Sequence, residues 1–105
     1  MIGLAMMLAA TDDPLSGNGL YDQCTGTSSQ QLLCSAYIVG VTEGVIVRES
    51  IRGTAATLCV PDGVLRGQVI DVAKNYLRDH PENRQRSAND LVYLSLRQAF
   101  PCRKR

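Results

Sequence analysis

Cysteines stand at positions 24, 34, 59 and 102 of a 105-residue chain, and their placement limits what the chain can fold into. They lack the paired C-x-x-C spacing of zinc sites and redox motifs. An even number of cysteines without metal spacing points to disulfides, and so to an oxidising compartment. A chain this short buries only about two-thirds of the surface its unfolded form exposes, so its core is marginal and covalent staples matter. Four cysteines allow three connectivities, and sequence alone does not choose among them. The pairing 24–34 with 59–102 is favoured, because Cys24 and Cys34 flank a short inter-helix loop while Cys59 and Cys102 bracket two helices that could run antiparallel. Loop-closure entropy assigns about 3 kcal/mol to the short ring and about 4 kcal/mol to the long one.

Between the cysteines the apolar residues recur with a helical period, and no segment shows convincing strand alternation. Ser16 is placed to cap a short helix that carries Leu20 and Tyr21 and ends near Cys24. Thr25, Gly26, Thr27, Ser28 and Ser29 make a loop by composition. A long helix is expected over residues 30–51, with Leu33, Tyr37, Val41, Gly44 and Arg48 at one-turn spacing and Ala36, Gly40 and Val47 alongside. Gly40 and Gly44 share a face, and each costs about 1 kcal/mol of helix propensity relative to Ala. A close helix–helix contact at that notch would compensate. Glu43, Arg48 and Glu49 argue against a membrane-spanning role.

Residues 53–63 form the main irregular segment. A third helix over residues 65–78 places Leu65, Val69, Val72, Ala73, Tyr76 and Leu77 on one face, and Pro81 stops it. The fourth begins at Ser87, with Asp90 where a capping box would put an acidic residue. It carries Ala88, Leu91, Val92, Ser95 and Ala99 on one face and ends at Pro101. The expected fold class is all-α, a small disulfide-stapled bundle of about four helices in one domain over residues 11–105. Residues 1–10 are apolar, rich in small residues and too short to span a bilayer. They resemble the apolar region of an incomplete secretory signal peptide, lacking a basic residue before it.

The residues that could carry chemistry are few. His80 is the single histidine, and it sits at a helix C-terminus, where partial positive charge is favoured. No G-x-S-x-G elbow is present, and no cysteine has a neighbouring histidine to activate it. The carboxylates form no evident acid–base pair. Gly17-Asn18-Gly19 is a fragment of a glycine-rich loop that follows no strand and lacks a third glycine. An enzyme is therefore not expected, nor is a metal or other cofactor. The net charge of +1 is spread over interspersed signs, which points away from nucleic acid and from anionic membranes as partners. Binding is the function class left. The polar connections 53–63 and 79–87 are the candidate surfaces, and His80, Glu82, Asn83, Arg84 and Arg86 are the candidate partner-contacting residues. Arg84 and Arg86 have the forked donors that pair with carboxylates. Tyr76 and Tyr93 read as residues at the edge of the core.

The order of short motifs along the chain is more telling than any one of them. Cys34-x-x-Tyr37-Ile38-x-Gly40-Val41, Cys59-x-Pro61-x-Gly63-Val64, Gln68, Tyr76-Leu77-x-x-His80-Pro81-Glu82, Ser87-Ala88 and Ala99-Phe100-Pro101-Cys102 together resemble the Rap/Tai-type immunity family linked to type VI secretion, over residues 16–102. Leu65 departs from the Thr that usually opens the third helix. The resemblance implies a small exported protein of the bacterial periplasm, commonly a homodimer. It further implies binding to a peptidoglycan amidase effector and occlusion of its active site. A periplasmic structural or chaperone-like helical protein without a dedicated toxin is the alternative.

Overall fold

The computed structural model describes residue 13 and residues 15–103; the leader expected over residues 1–10 lies outside them. The described residues form four α-helices and one short 3-10 turn. They are α1 (Gly17–Cys24), α2 (Ser28–Arg52), α3 (Arg66–Asp79) and α4 (Ala88–Ala99), with the 3-10 turn at Pro81–Asn83 between α3 and α4. The all-α, disulfide-stapled fold expected from the sequence is the one observed.

Local chemistry sets the helix ends. The Ser16 hydroxyl accepts from the Gly19 amide at 3.1 Å and opens α1. Thr27 opens α2 through a full capping box, its hydroxyl accepting from Gln30 N while the Gln30 side chain accepts from Thr27 N. Two backbone donors are satisfied reciprocally there, so α2 starts two residues before its expected position and the first loop shrinks. Gly53 closes α2 in the left-handed region, at φ 66°, where a side chain would be strained. Leu65 precedes α3 and has no side-chain acceptor to offer, and the Gln68 carboxamide accepts from the Leu65 amide at 2.7 Å. The box expected between Ser87 and Asp90 does not form, because the Ser87 hydroxyl turns to Asn89 instead.

The core is small and shared by all four helices. Leu20 of α1, Ile38 of α2, Leu77 of α3 and Leu91 and Leu96 of α4 are its largest fully buried side chains. Leu58, from the connection between α2 and α3, is buried beside them. On α3 and α4 the expected apolar faces turn to the core, with Val72 and Tyr76 half-buried at its edge and Leu65 and Ala99 exposed. On α2 the buried face is Cys34, Ile38 and Thr42. Of the expected stripe only Tyr37 and Val41 pack against this core; the rest is corrected, since Leu33 and Val47 are more than half exposed and Ala36, Gly40, Gly44 and Arg48 also face outward. Among the described residues a Cβ added at Gly40 or Gly44 would meet nothing within 4 Å, so the notch packs against none of the other described helices. By length and composition α2 is also the described helix that could cross a membrane. Its buried face packs on the other three helices, and a disulfide joins it to α1.

The disulfides join Cys24 to Cys34 and Cys59 to Cys102, with Cα–Cα distances of 5.1 and 5.0 Å. The first closes the α1–α2 hairpin inside the core, where both cysteines are buried. The second ties the α2–α3 connection to the end of α4, reinforced by a bond from the Cys59 amide to the Phe100 carbonyl at 3.0 Å.

Candidate functional site

The α3–α4 connection is ordered by its own chemistry first. His80 ends α3, its amide donating to Tyr76 O at 3.0 Å, and its ring stacks on the Tyr76 ring at 4.3 Å. Pro81 cannot continue the α-helix, and the chain turns through Pro81–Asn83. The Asn83 carboxamide donates to the Tyr76 hydroxyl at 3.2 Å. Glu82 lies 3.2 Å from His80 Nδ1. Its carboxyl is held below the usual carboxylate range, chiefly by a backbone amide and then by His80.

Three further attachments bind this connection to α1. The first amides of a helix have no partner inside it. Here Gly17 N donates to Arg86 O and Asn18 N to Arg84 O, both at 2.7 Å. Returning the other way, Ala88 N donates to Leu15 O at 2.7 Å, and Ser16 faces Ser87 in an isolated antiparallel bridge. Gly17 makes this approach possible. A Cβ there would lie 2.4 Å from Leu91 Cδ1 and 2.7 Å from the Arg84 carbonyl oxygen.

Arg84 supplies the opposite half of the joint. The last carbonyls of α3 also lack helical partners, and Arg84 Nε donates to Leu77 O at 2.6 Å while one terminal nitrogen donates to Arg78 O at 3.1 Å. Its guanidinium carbon sits 3.6 Å from the centroid of the Tyr21 ring on α1. The connection therefore caps two helices at once, α1 with its backbone carbonyls and α3 with a side chain.

The five candidate residues divide accordingly. His80, Asn83 and Arg84 are half-buried and engaged within the chain, whereas Glu82 and Arg86 are exposed. Arg86 makes no ion pair among the described residues. Gly17, Asn18 and Tyr21, which hold the connection from α1, were not legible as site residues. Gly17 was visible only as part of a glycine-rich fragment, and nothing in helical periodicity links residue 21 to residue 84.

The other polar connection is braced as well. The Thr57 hydroxyl donates to Glu49 at 2.7 Å and lies 2.6 Å from the Tyr93 hydroxyl, while the Thr57 amide donates to the same carboxylate at 3.1 and 3.2 Å. These donors, the Thr57 hydroxyl foremost, hold the Glu49 carboxyl below the usual range. Beside this strut runs an open groove of about 480 Å³ lined by Arg48, Arg52, Asn89, Asp90 and Tyr93 among others. Among the described residues no group of three or more His, Cys, Asp or Glu side chains is placed to hold a metal ion.

The architecture is thus two disulfides and a pair of mutual helix caps bracing the connections between the helices. Comparison with curated proteins and with solved structures finds no match. Comparison with family models matches the Rap1a immunity proteins over residues 16–102, from the cap of α1 to the last cysteine. The match takes in all four helices and both disulfides, and on that extent the chain belongs to the Rap1a immunity protein family.

Proposed function

We propose that this protein is a periplasmic immunity protein that binds a type VI secretion peptidoglycan amidase effector and inhibits it by occluding its active site. Family membership over residues 16–102 carries the reading, since it implies a cognate effector protein as partner. The disulfides support the compartment, because such bonds persist in oxidising surroundings. The 79–87 connection is the surface assigned to the effector. An inhibitor of this kind needs no catalytic group of its own; it needs a projecting element that loses little entropy on binding. Glu82 and Arg86 are its outward charges, and Arg86 is suited to a bidentate pair with an effector carboxylate.

A homodimer belongs to the same reading. Around Gly40 and Gly44, the outward face of α2 leaves Leu33 57%, Val47 52% and Ile51 80% exposed, a surface a second copy would cover.

The test is inhibition of a panel of type VI peptidoglycan amidases by the oxidised chain, followed by size and stoichiometry of any complex. One amidase bound at equal stoichiometry with its hydrolysis abolished is the expected result. Weak binding to many unfolded clients and to no amidase would favour the structural or chaperone-like alternative.

A further inference from the structure

We propose that Arg84 is a positioning residue of the effector-binding connection, setting the posture in which Arg86 and Glu82 are presented, and does not itself contact the effector. The inference rests on the reading of the 79–87 connection as the effector surface.

Three observations carry it. First, the Arg84 guanidinium is engaged inside the chain, with two of its donors on Leu77 O and Arg78 O and one face on Tyr21. A guanidinium has five donors in a fixed plane. Two of its nitrogens are turned to the end of α3, and the plane is held by the ring. Second, the carbonyl of the same residue accepts from Asn18 N, and that of Arg86 accepts from Gly17 N. Side chain and backbone of Arg84 therefore grip different helices, α3 through the guanidinium and α1 through both. Third, Gly17 lets the joint close tightly, because the Arg84 carbonyl occupies the space a Cβ would need. Arg86, two residues on, has its backbone fixed by this joint and its side chain in solvent.

A sequence reading groups the two arginines as equivalent contacts. The geometry gives them different work. Removing the Arg84 side chain should loosen the connection against α3 and α1, with only the Asn83–Tyr76 bond and the backbone contacts left, while every outward side chain stays chemically intact. Only a fraction of molecules would then hold the binding posture, and apparent affinity falls by that fraction. A lost contact instead speeds dissociation, as most interface mutations do.

The experiment compares Arg84→Ala, Arg84→Lys and Arg86→Glu in the oxidised chain, by two measurements. The first is amide hydrogen exchange of the free protein. Arg84→Ala should speed exchange at Gly17, Asn18 and Ala88 by about tenfold or more, with the core amides of Leu91 and Leu96 much less affected. Arg84→Lys keeps a cationic donor but loses the planar fork and the flat stacking, so it should fall between, and it serves as the readable variant if Arg84→Ala fails to fold. Unchanged exchange at Gly17 and Asn18 in either variant would overturn the proposal.

The second measurement is binding kinetics with an amidase selected from the panel by its inhibition by the unmodified chain. Arg84→Ala should slow association by about fivefold or more and leave dissociation within about twofold. Loss carried by faster dissociation would make Arg84 a contact and overturn the proposal. Should no amidase be inhibited, or should Arg86→Glu bind normally, the effector reading of this connection fails, and the exchange result still decides whether Arg84 positions it.

Discussion

The guanidinium carbon of Arg84 lies 3.6 Å from the ring centroid of Tyr21, across the joint between the α3–α4 connection and α1. The pair joins residues 63 positions apart in the chain (84 − 21). A cation over an aromatic face contributes about 0.5–2 kcal/mol, depending on how far it is desolvated. Tyr21→Ala should therefore lower unfolding free energy by about 2 kcal/mol, the ring's packing included. Tyr21→Phe keeps the ring and should stay within about 0.5 kcal/mol of wild type. Chemical denaturation of the oxidised protein checks both.

Gly17 is the tightest point of the same joint. Ala is ordinarily the better helix former, by about 1 kcal/mol. Here its Cβ would press on a backbone oxygen, which cannot rotate away as a side chain can. Overpacking of this kind costs about 1–3 kcal/mol, so Gly17→Ala should destabilise the protein. Denaturant midpoints against wild type test the sign.

Gly40 and Gly44 give the opposite prediction. Among the described residues nothing lies within 4 Å of either would-be Cβ. Gly40→Ala and Gly44→Ala should each stabilise the monomeric fold, by up to about 1 kcal/mol. Gly40→Leu fills the notch and should weaken the proposed homodimer without harming the fold. Sedimentation velocity together with thermal melting separates the two effects.

Removal of each disulfide should act through the unfolded chain. Cys59→Ser with Cys102→Ser opens the longer ring, with a sequence separation of 43 residues against 10 for the other. The loop-closure estimate gives a loss of about 4 kcal/mol for the long ring and about 3 kcal/mol for the short one. Cys24 and Cys34 are both buried, so their replacement also disturbs packing, whereas Cys59 is exposed. Unfolding of the paired double variants under non-reducing conditions measures this.

Glu49 makes stability depend on pH. Its folded-state pKa is lowered by hydrogen bonds from the Thr57 hydroxyl and amide. A carboxylate with a lowered folded pKa stabilises the fold at pH values above its unfolded pKa, and that contribution disappears as pH falls through the folded one. Wild type should therefore lose melting temperature more steeply than Glu49→Gln between about pH 5 and pH 3. Asp79 and Glu82 are lowered too, by Arg78 and by a backbone amide respectively, so the difference between the two proteins isolates Glu49.

Much of this protein is written in local sequence. Helix periods, the prolines at 81 and 101 and the cap at Ser16 mark the four helices, because each signal acts over a few neighbouring residues. Cysteine number and spacing point to disulfides for the same reason, and the two helical hairpins bring the matching cysteines within reach. The outward face of α2 was not legible. Its apolar residues run nearly all round the helix, so a period alone cannot say which side faces the core; contact with α1, α3 and α4 selects Cys34, Ile38 and Thr42. The different placement of Arg84 and Arg86 was hidden for a deeper reason. Both are basic residues in one polar connection, and which of them turns inward depends on Tyr21 and the end of α3 being brought to the same place. That is a property of the packed helices, where the unfilled carbonyls of one and the ring of another meet a single guanidinium.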